Sequence, residues 1–255
     1  MSAVESWMTA PVVIGAVGGS GTRVVARVVR AAGVFMGTEL NDSEDALPFA
    51  PFHDRWISRF VSAKGKMPDD VQREMTGQFL ACVERHRRRI PDQRAAWGWK
   101  GPRTIYLLPF IHQLHPAMKF IHVVRDGRDM AFSSNMNQVR KHGAAVLGDG
   151  SAGFPEPARA AALWRTVNLT TADYGEARLG PRYLRVKFET LCQDPKETIG
   201  HIQAFVGRPE PANLQALIEE IKAPASIGRW RSQDAMLVNA VLEQAAPALE
   251  RLGYC

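Results

Sequence analysis

Short β-branched apolar runs recur along the chain, and each is followed by a segment with helical spacing. The first run, Val12 to Val17, leads through a Gly/Ser/Thr loop into the apolar-periodic stretch that contains Val24 and Val25. This predicts a buried strand, a tight turn and a helix over about residues 22–32, with Gly33 as its C-cap. Val34 to Met36 is a short apolar return. Residues 37–52 carry Glu39, Asp42, Glu44 and Asp45 and are expected to form a loop, because Pro48 and Pro51 oppose a helix. Helices are expected over about residues 52–63 and 69–89. Residues 95–99 predict a second strand, ending at Lys100-Gly101-Pro102-Arg103-Thr104, and a helix then runs to about His115, where Pro116 stops it. Lys119 to Val124 is the clearest strand after the first. It leads into Arg125-Asp126-Gly127-Arg128-Asp129 and a helix through about Val139. Residues 142–157 are rich in Gly, Ala and Pro and are expected to be a mobile surface loop. A fourth strand is expected over residues 183–188, and helices over about residues 156–177, 189–206, 212–221 and 235–251.

Strands alternating with helices predict an α/β fold of three layers, a parallel sheet with helices on both faces. In such sheets ligands sit beyond the carboxyl ends of the strands. Four segments leave those ends: residues 18–23, 100–104, 125–129 and the stretch after Phe188. They are expected to converge. There is no repeat, linker or low-complexity segment, so residues 1–255 are expected to form one domain.

Composition narrows this only a little. The chain has 255 residues, 45% hydrophobic and 23% charged, which is ordinary for a globular protein. No apolar run is long enough to span a bilayer. Residues 1–10 include Glu5 and lack the basic start of a secretory signal. Cys82, Cys192 and Cys255 fit neither a disulfide framework nor metal spacing, so a reducing cytoplasm is the simplest setting. The net charge of +6 suits an anionic ligand. Arg85-His86-Arg87-Arg88-Arg89 reads as a basic helix end rather than a nucleic-acid patch, since cations are favourable there in any case.

The candidate chemistry begins at Gly18-Gly19-Ser20-Gly21-Thr22-Arg23. Three glycines let the backbone pass close to a ligand, and a helix N-terminus presents unpaired amides to a phosphate. The same glycines could simply shape a strand-to-helix turn, and the loop alone does not decide. It is not a triphosphate P-loop, which needs Gly, four residues, then Gly-Lys-Ser/Thr. Arg125 with Ser133 forms a second candidate anion site, a guanidinium fork plus a hydroxyl. The alternative for that pair is an Arg125–Asp129 ion pair at a helix end with Ser133 on the surface.

Taken together, Val17 to Thr22, Lys100-Gly-Pro-Arg103, Val124 to Asp129 with Ser133, Phe188-Glu-Thr-Leu191 with Asp194-Pro195, and Ile227-Gly-Arg-Trp230 occur in the order and spacing of the sulfotransferases that use 3′-phosphoadenosine-5′-phosphosulfate (PAPS). The chain most resembles bacterial members with a Gly-Ser-Gly-Thr loop. The resemblance implies the P-loop NTPase-like sulfotransferase fold, with Gly18, Gly19, Ser20, Gly21, Thr22 and Arg23 at the 5′-phosphosulfate and Arg125 and Ser133 at the 3′-phosphate. It implies that Phe188 lies near the adenine and that the late loop Ser226-Ile227-Gly228-Arg229-Trp230 closes over the nucleotide. Lys100 resembles the Lys that some members place beside the transferring sulfuryl group. Many members carry a basic residue where this chain has Gly19, so Lys100, or else Arg23, must supply that charge.

The implied reaction is in-line sulfuryl transfer from PAPS to a hydroxyl or amine of a carbohydrate or small-molecule acceptor, with no metal required. In glycan- and tyrosine-modifying relatives the base that takes the acceptor's proton is a Glu in the loop after the first helix. Glu39 is the nearest match, with Asp42, Glu44 and His53 as reserves. His122, inside a strand, is expected to be a core residue. Trp97, Trp99 and Trp230 are expected to pack. Three rival readings remain: a nucleotide kinase that would need Mg²⁺ and ATP, a non-catalytic nucleic-acid binder, and a sulfotransferase-like chain inactive through Gly19. The acceptor and the oligomeric state are not readable from the sequence.

Overall fold

The computed structural model describes residues 10–90, 92, 95–208 and 213–254. Residues 1–9, where a secretory signal is not expected, Ala212 at the head of an expected helix, and Cys255 lie outside the described residues. Among the described residues, four parallel strands form one sheet in the order β2-β1-β3-β4. They are β1 (Val12–Ala16), β2 (Gly98–Lys100), β3 (Lys119–Val124) and β4 (Tyr183–Lys187). The register pairs Ile14 with Lys100 on one side and with Ile121 on the other. The ends of β1, β2 and β3 that carry the loops therefore lie side by side.

Successive side chains of a strand point to opposite faces. Val12, Ile14 and Ala16 accordingly enter one apolar cluster, with Val25, Val28 and Val29, while Val13 enters another with Trp56, Phe79 and Phe120. The sheet is thus covered on both faces, as expected. On the first face lie α1 (Thr22–Ala31) and, further on, α9 (Pro195–Val206) and α10 (Leu214–Glu220). On the second lie α2 (Ala50–Ser62), α3 (Asp69–Arg87), α4 (Leu108–Leu114), α7 (Glu156–Tyr174) and α11 (Ala235–Leu252). Three further helices, α5 (Gly127–Ala131), α6 (Asn137–Leu147) and α8 (Phe188–Gln193), follow strand ends or join them to the long helices.

Several expectations are corrected. Pro48 and Pro51 do not keep the acidic segment out of helices. Each sits in the first turn of one, a 3₁₀ turn (Leu47–Phe49) and α2, where no amide is needed. The helix expected through Val139 is broken at residues 132–136. There Ser133 Oγ accepts from the Asn135 amide at 3.1 Å and Asn135 Oδ1 from the Asn137 amide at 3.4 Å, local bonds that compete with the helical ladder. Residues 142–147 are helical, not a mobile loop. Val139 and His142 are buried, and His142 Nδ1 lies 3.1 Å from Ser58 Oγ on α2. After Pro102 the chain first makes a 3₁₀ turn (Pro102–Leu107), and α4 begins only at Leu108.

Candidate functional site

Helix α1 begins at Gly21, which has φ +84°, and no side chain caps it. The Val24 amide bonds the Gly21 carbonyl at 3.1 Å, while the amides of Thr22 and Arg23 have no partner within the helix, and both residues line a cavity of about 840 Å³ together with Gly18, Gly19 and Gly21. A Cβ on Gly21 would stand 2.1 Å from the Phe188 ring, so glycine is required there twice, by conformation and by space. Ser20 differs from its expected role. It is buried, and its Oγ donates to the Val17 carbonyl at 2.6 Å, closing the turn rather than facing the cavity. Gln138 supplies an unforeseen amide. Its Nε2 stands 3.1 Å from where a Gly18 Cβ would be, and its Oε1 accepts from the Tyr106 hydroxyl at 2.9 Å.

Arg125, at the end of β3, is buried. Its Nη1 donates to the Gly19 carbonyl at 3.3 Å and its Nη2 to Ser226 Oγ at 2.8 Å. The guanidinium carbon lies 5.1 Å from the centre of the Phe188 ring, and Nε is buried without a partner. Burial pulls its pKa below the ordinary arginine value, with the nearby charge of Arg229 adding to the effect. A buried guanidinium with an unsatisfied donor beside an uncapped helix start is a fitting receptor for a phosphate. Ser133 Oγ stands 3.9 Å from where a Gly19 Cβ would be, so it reaches this junction from the break between α5 and α6 rather than from a continuous helix.

Asp129 makes no ion pair with Arg125. It is buried, and its carboxylate accepts from the Gly228 amide at 2.7 Å and the Trp230 amide at 3.3 Å, pinning the late loop. Within that loop Gly228 has φ +80°, and Arg229 Nε donates to the Ser226 carbonyl at 3.1 Å. Ile227 donates its amide to the Pro224 carbonyl at 3.0 Å. Trp230 packs between the guanidinium groups of Arg128 and Arg231, 4.6 and 4.9 Å from its ring centre. The first loop, Arg125, Phe188 and the late loop are therefore in mutual contact. Asp129 as a clamp was missed because its partners lie about a hundred residues further on, at separations of 99 and 101.

Lys100 ends β2 with its side chain only 2% exposed. Its Nζ donates to the Ser43 carbonyl at 2.6 Å and to the Asp45 carboxylate. Burial lowers its pKa, and the Asp45 bond works against that. Asp45, which lines the cavity beside Lys100, was not singled out by the sequence. Glu39 does not line the cavity. It is held by Arg85 Nε at 3.0 Å and by a second bond from the same guanidinium, which keeps its carboxyl below the usual range. Glu44 is similarly bound to Arg27 and Arg30, and the Asp42 carbonyl accepts from Arg23. Of the expected bases, His53 lines the cavity. It is 3% exposed, its Nε2 is 3.3 Å from Thr104 Oγ1, and burial lowers its pKa to about 3.

His122 is a core residue, bonded at both ring nitrogens to the Tyr183 hydroxyl and Asn168 Oδ1, each at 2.8 Å. Trp99 stacks on Phe49 at 4.7 Å and lies beside Trp97 at 5.8 Å. Four residues of the basic run have local partners. Arg85 holds Glu39, His86 bonds the Gly98 carbonyl, Arg87 covers Trp97 and Arg88 pairs with Glu84. Among the described residues, no group of His, Cys, Asp and Glu is arranged to hold a metal, and no helix is long and apolar enough to cross a membrane.

No curated protein sequence matches the chain. Among solved structures, the sulfotransferase domain of the olefin synthase from Synechococcus PCC 7002 superposes with a TM-score of 0.55 at 21% identity, covering 93% of this chain and 94% of that one. A sulfotransferase from Mycobacterium avium gives 0.56 at 13% identity, over 98% and 77% of the two chains. Retinol dehydratase, in complex with androsterone and the inactive cofactor PAP, gives 0.50 at 15% identity, over 94% and 80%. At these identities the likenesses establish the fold. The model of the sulfotransferase family matches residues 11–212, which includes the glycine loop, the segment after β3 and Lys100. That span is most of the sequence, and the chain belongs to the sulfotransferase family.

Proposed function

We propose that this protein moves a sulfuryl group from PAPS to a hydroxyl or amine of a small-molecule or carbohydrate acceptor. The observation that carries the reading is the junction of Arg125 with Gly19 and Ser226, which ties the buried guanidinium and the late loop to the glycine loop that lines the cavity. The fold likeness to a protein solved with PAP supports the same donor. When bound, PAPS supplies the activated sulfuryl group. The chain's own residues do the rest. The amides at the start of α1, with Arg23 and Gln138, hold the 5′ end, and Arg125, Ser133 and Arg229 hold the 3′-phosphate. Phe188 stands by the base.

Lys100 supplies the cation that Gly19 does not. Its ammonium is held beside the cavity by the Ser43 carbonyl and the Asp45 carboxylate, which offsets part of its charge, so its role is that of a positioned N–H donor to the bridging oxygen. His53 takes the acceptor's proton in place of Glu39. Its Nε2 lies 3.3 Å from Thr104 Oγ1, and burial, which lowers its pKa to about 3, leaves the ring neutral with a free lone pair but makes it a weak base.

The test is a thermal shift with adenosine 3′,5′-bisphosphate against ATP·Mg²⁺. Stabilisation by the bisphosphate alone is expected. A preference for ATP·Mg²⁺ would overturn the reading in favour of a kinase.

A further inference from the structure

The cavity has a second wall, away from Phe188 and the late loop. It is built by α2, by the turn after Lys100 and by α6. Arg103 and Lys141 line it. Both donate to the same oxygen, Asp54 Oδ1, Lys141 at 2.8 Å and Arg103 through Nη1. Asp54 itself is half-exposed and does not line the cavity.

We infer that Arg103 and Lys141 form a receptor for a carboxylate carried by the acceptor, an inference that rests on the sulfotransferase reading above. Two cations share one carboxylate, so the wall keeps a surplus positive charge toward the cavity. A guanidinium with five N–H groups and an ammonium with three offer more donors than one carboxylate oxygen can accept. The other acids lining the cavity do not cancel that charge, since Asp45 is committed to Lys100 and Glu220 to Arg27. The geometry of recognition is already present, because the pair holds a carboxylate in this structure. Arg103 also stands three residues after Lys100, and its turn packs on His53, with Thr104 Oγ1 3.3 Å from the ring. A carboxylate held here therefore brings a nearby hydroxyl or amine toward His53 and Lys100. The acceptor class is a small hydroxy or amino acid rather than a neutral alcohol.

The experiment first saturates the protein with adenosine 3′,5′-bisphosphate and measures the fraction of binding sites filled. Failure at that step would count against the donor reading and is distinct from a failure of acceptor binding. A set of small hydroxy acids is then titrated beside the matched hydroxy amides, which differ only in charge. The acids are expected to bind at least about tenfold tighter. The advantage should vanish in the Arg103→Gln/Lys141→Met double variant, with the titre of bisphosphate sites reporting its folded fraction. In Asp54→Asn the advantage should grow, because the internal competitor is gone. A purely structural role for the triad predicts the opposite sign there. Equal binding of acids and amides, binding of neither, or an unchanged or smaller advantage in Asp54→Asn would overturn the proposal.

Discussion

Arg125 Nη1 donates to the carbonyl oxygen of Gly19 at 3.3 Å, across 106 residues of chain. Gly19 is where many relatives would carry a basic residue. Here that place is taken by a bare backbone whose carbonyl is held by the arginine of the next strand. The bond fixes the glycine loop and the segment after β3 relative to each other, and Ser226, bonded to the other terminal nitrogen of the guanidinium, ties in the late loop.

Replacing Arg125 by Ala removes the brace on Gly19 and, on the proposed reading, a charge-assisted contact to the 3′-phosphate. Affinity for adenosine 3′,5′-bisphosphate should fall by about 10- to 100-fold, the scale of one charged hydrogen bond at roughly 1.5–3 kcal/mol. Calorimetry on the purified variant checks this.

The Asp129 clamp should matter without touching the nucleotide. Asp129→Ala frees the amides of Gly228 and Trp230, and the late loop loses its anchor. Weaker bisphosphate binding is expected, with the KM for PAPS rising more than kcat falls. Asp129→Asn keeps one carbonyl acceptor and should lie between wild type and Ala. A fall in kcat alone would contradict a positioning role.

Two glycines with similar dihedrals should respond differently to a methyl group. Gly33 has φ +82° and open space around it, so Gly33→Ala costs only the left-handed strain, about 1–2 kcal/mol. Gly21 has φ +84° with the Phe188 ring 2.1 Å from the new Cβ. Gly21→Ala must move that ring, and it should lose bisphosphate binding as well as stability. Thermal melts with and without ligand separate the two outcomes.

Glu39→Gln should retain turnover within about tenfold, while His53→Gln should lose about 10²–10⁴-fold, the usual range for general-base help. Steady-state rates on any accepted substrate decide this. A large loss in Glu39→Gln would restore the glutamate as the base.

Acid should destabilise the fold well above the carboxylate range. Burial lowers His53 to about 3 and His122 and His142 each to about 4, against 6.5 in the unfolded chain. Below pH about 6.5 the unfolded state takes up these protons and the folded state does not, so stability falls as pH drops, until about 4 for His122 and His142 and about 3 for His53. A Tm that declines steadily between pH 7 and 5 is expected. A flat Tm over that interval would contradict it.

The strands were legible because β-branched runs and the glycine turn are local signals. Lys119 to Val124 reads as a strand from its own residues, and it is one. The break at residues 132–136 was not legible, because Ser133 and Asn135 use their side chains on neighbouring amides and periodicity does not register that. Residues 142–147 read as a loop from composition, yet their apolar face is covered by α2. The site was legible as a set of loops, since parallel strands deliver their carboxyl ends together. Its internal wiring was not. Glu39 is removed from the cavity by Arg85, 46 residues away, and Asp129 is turned to the late loop, about a hundred residues on. Such pairings depend on tertiary placement and leave no local trace.

One doubly phosphorylated adenosine should bridge the first loop and Arg125. The sharpest check is calorimetric titration of wild type and Arg125→Ala with adenosine 3′,5′-bisphosphate and with 5′-AMP. Wild type should bind the bisphosphate at least about tenfold tighter, and Arg125→Ala should lose most of that preference, since each tenfold step is about 1.4 kcal/mol, within the reach of one charged contact. Equal affinities in wild type, or a preference undiminished in Arg125→Ala, would rule the bridge out.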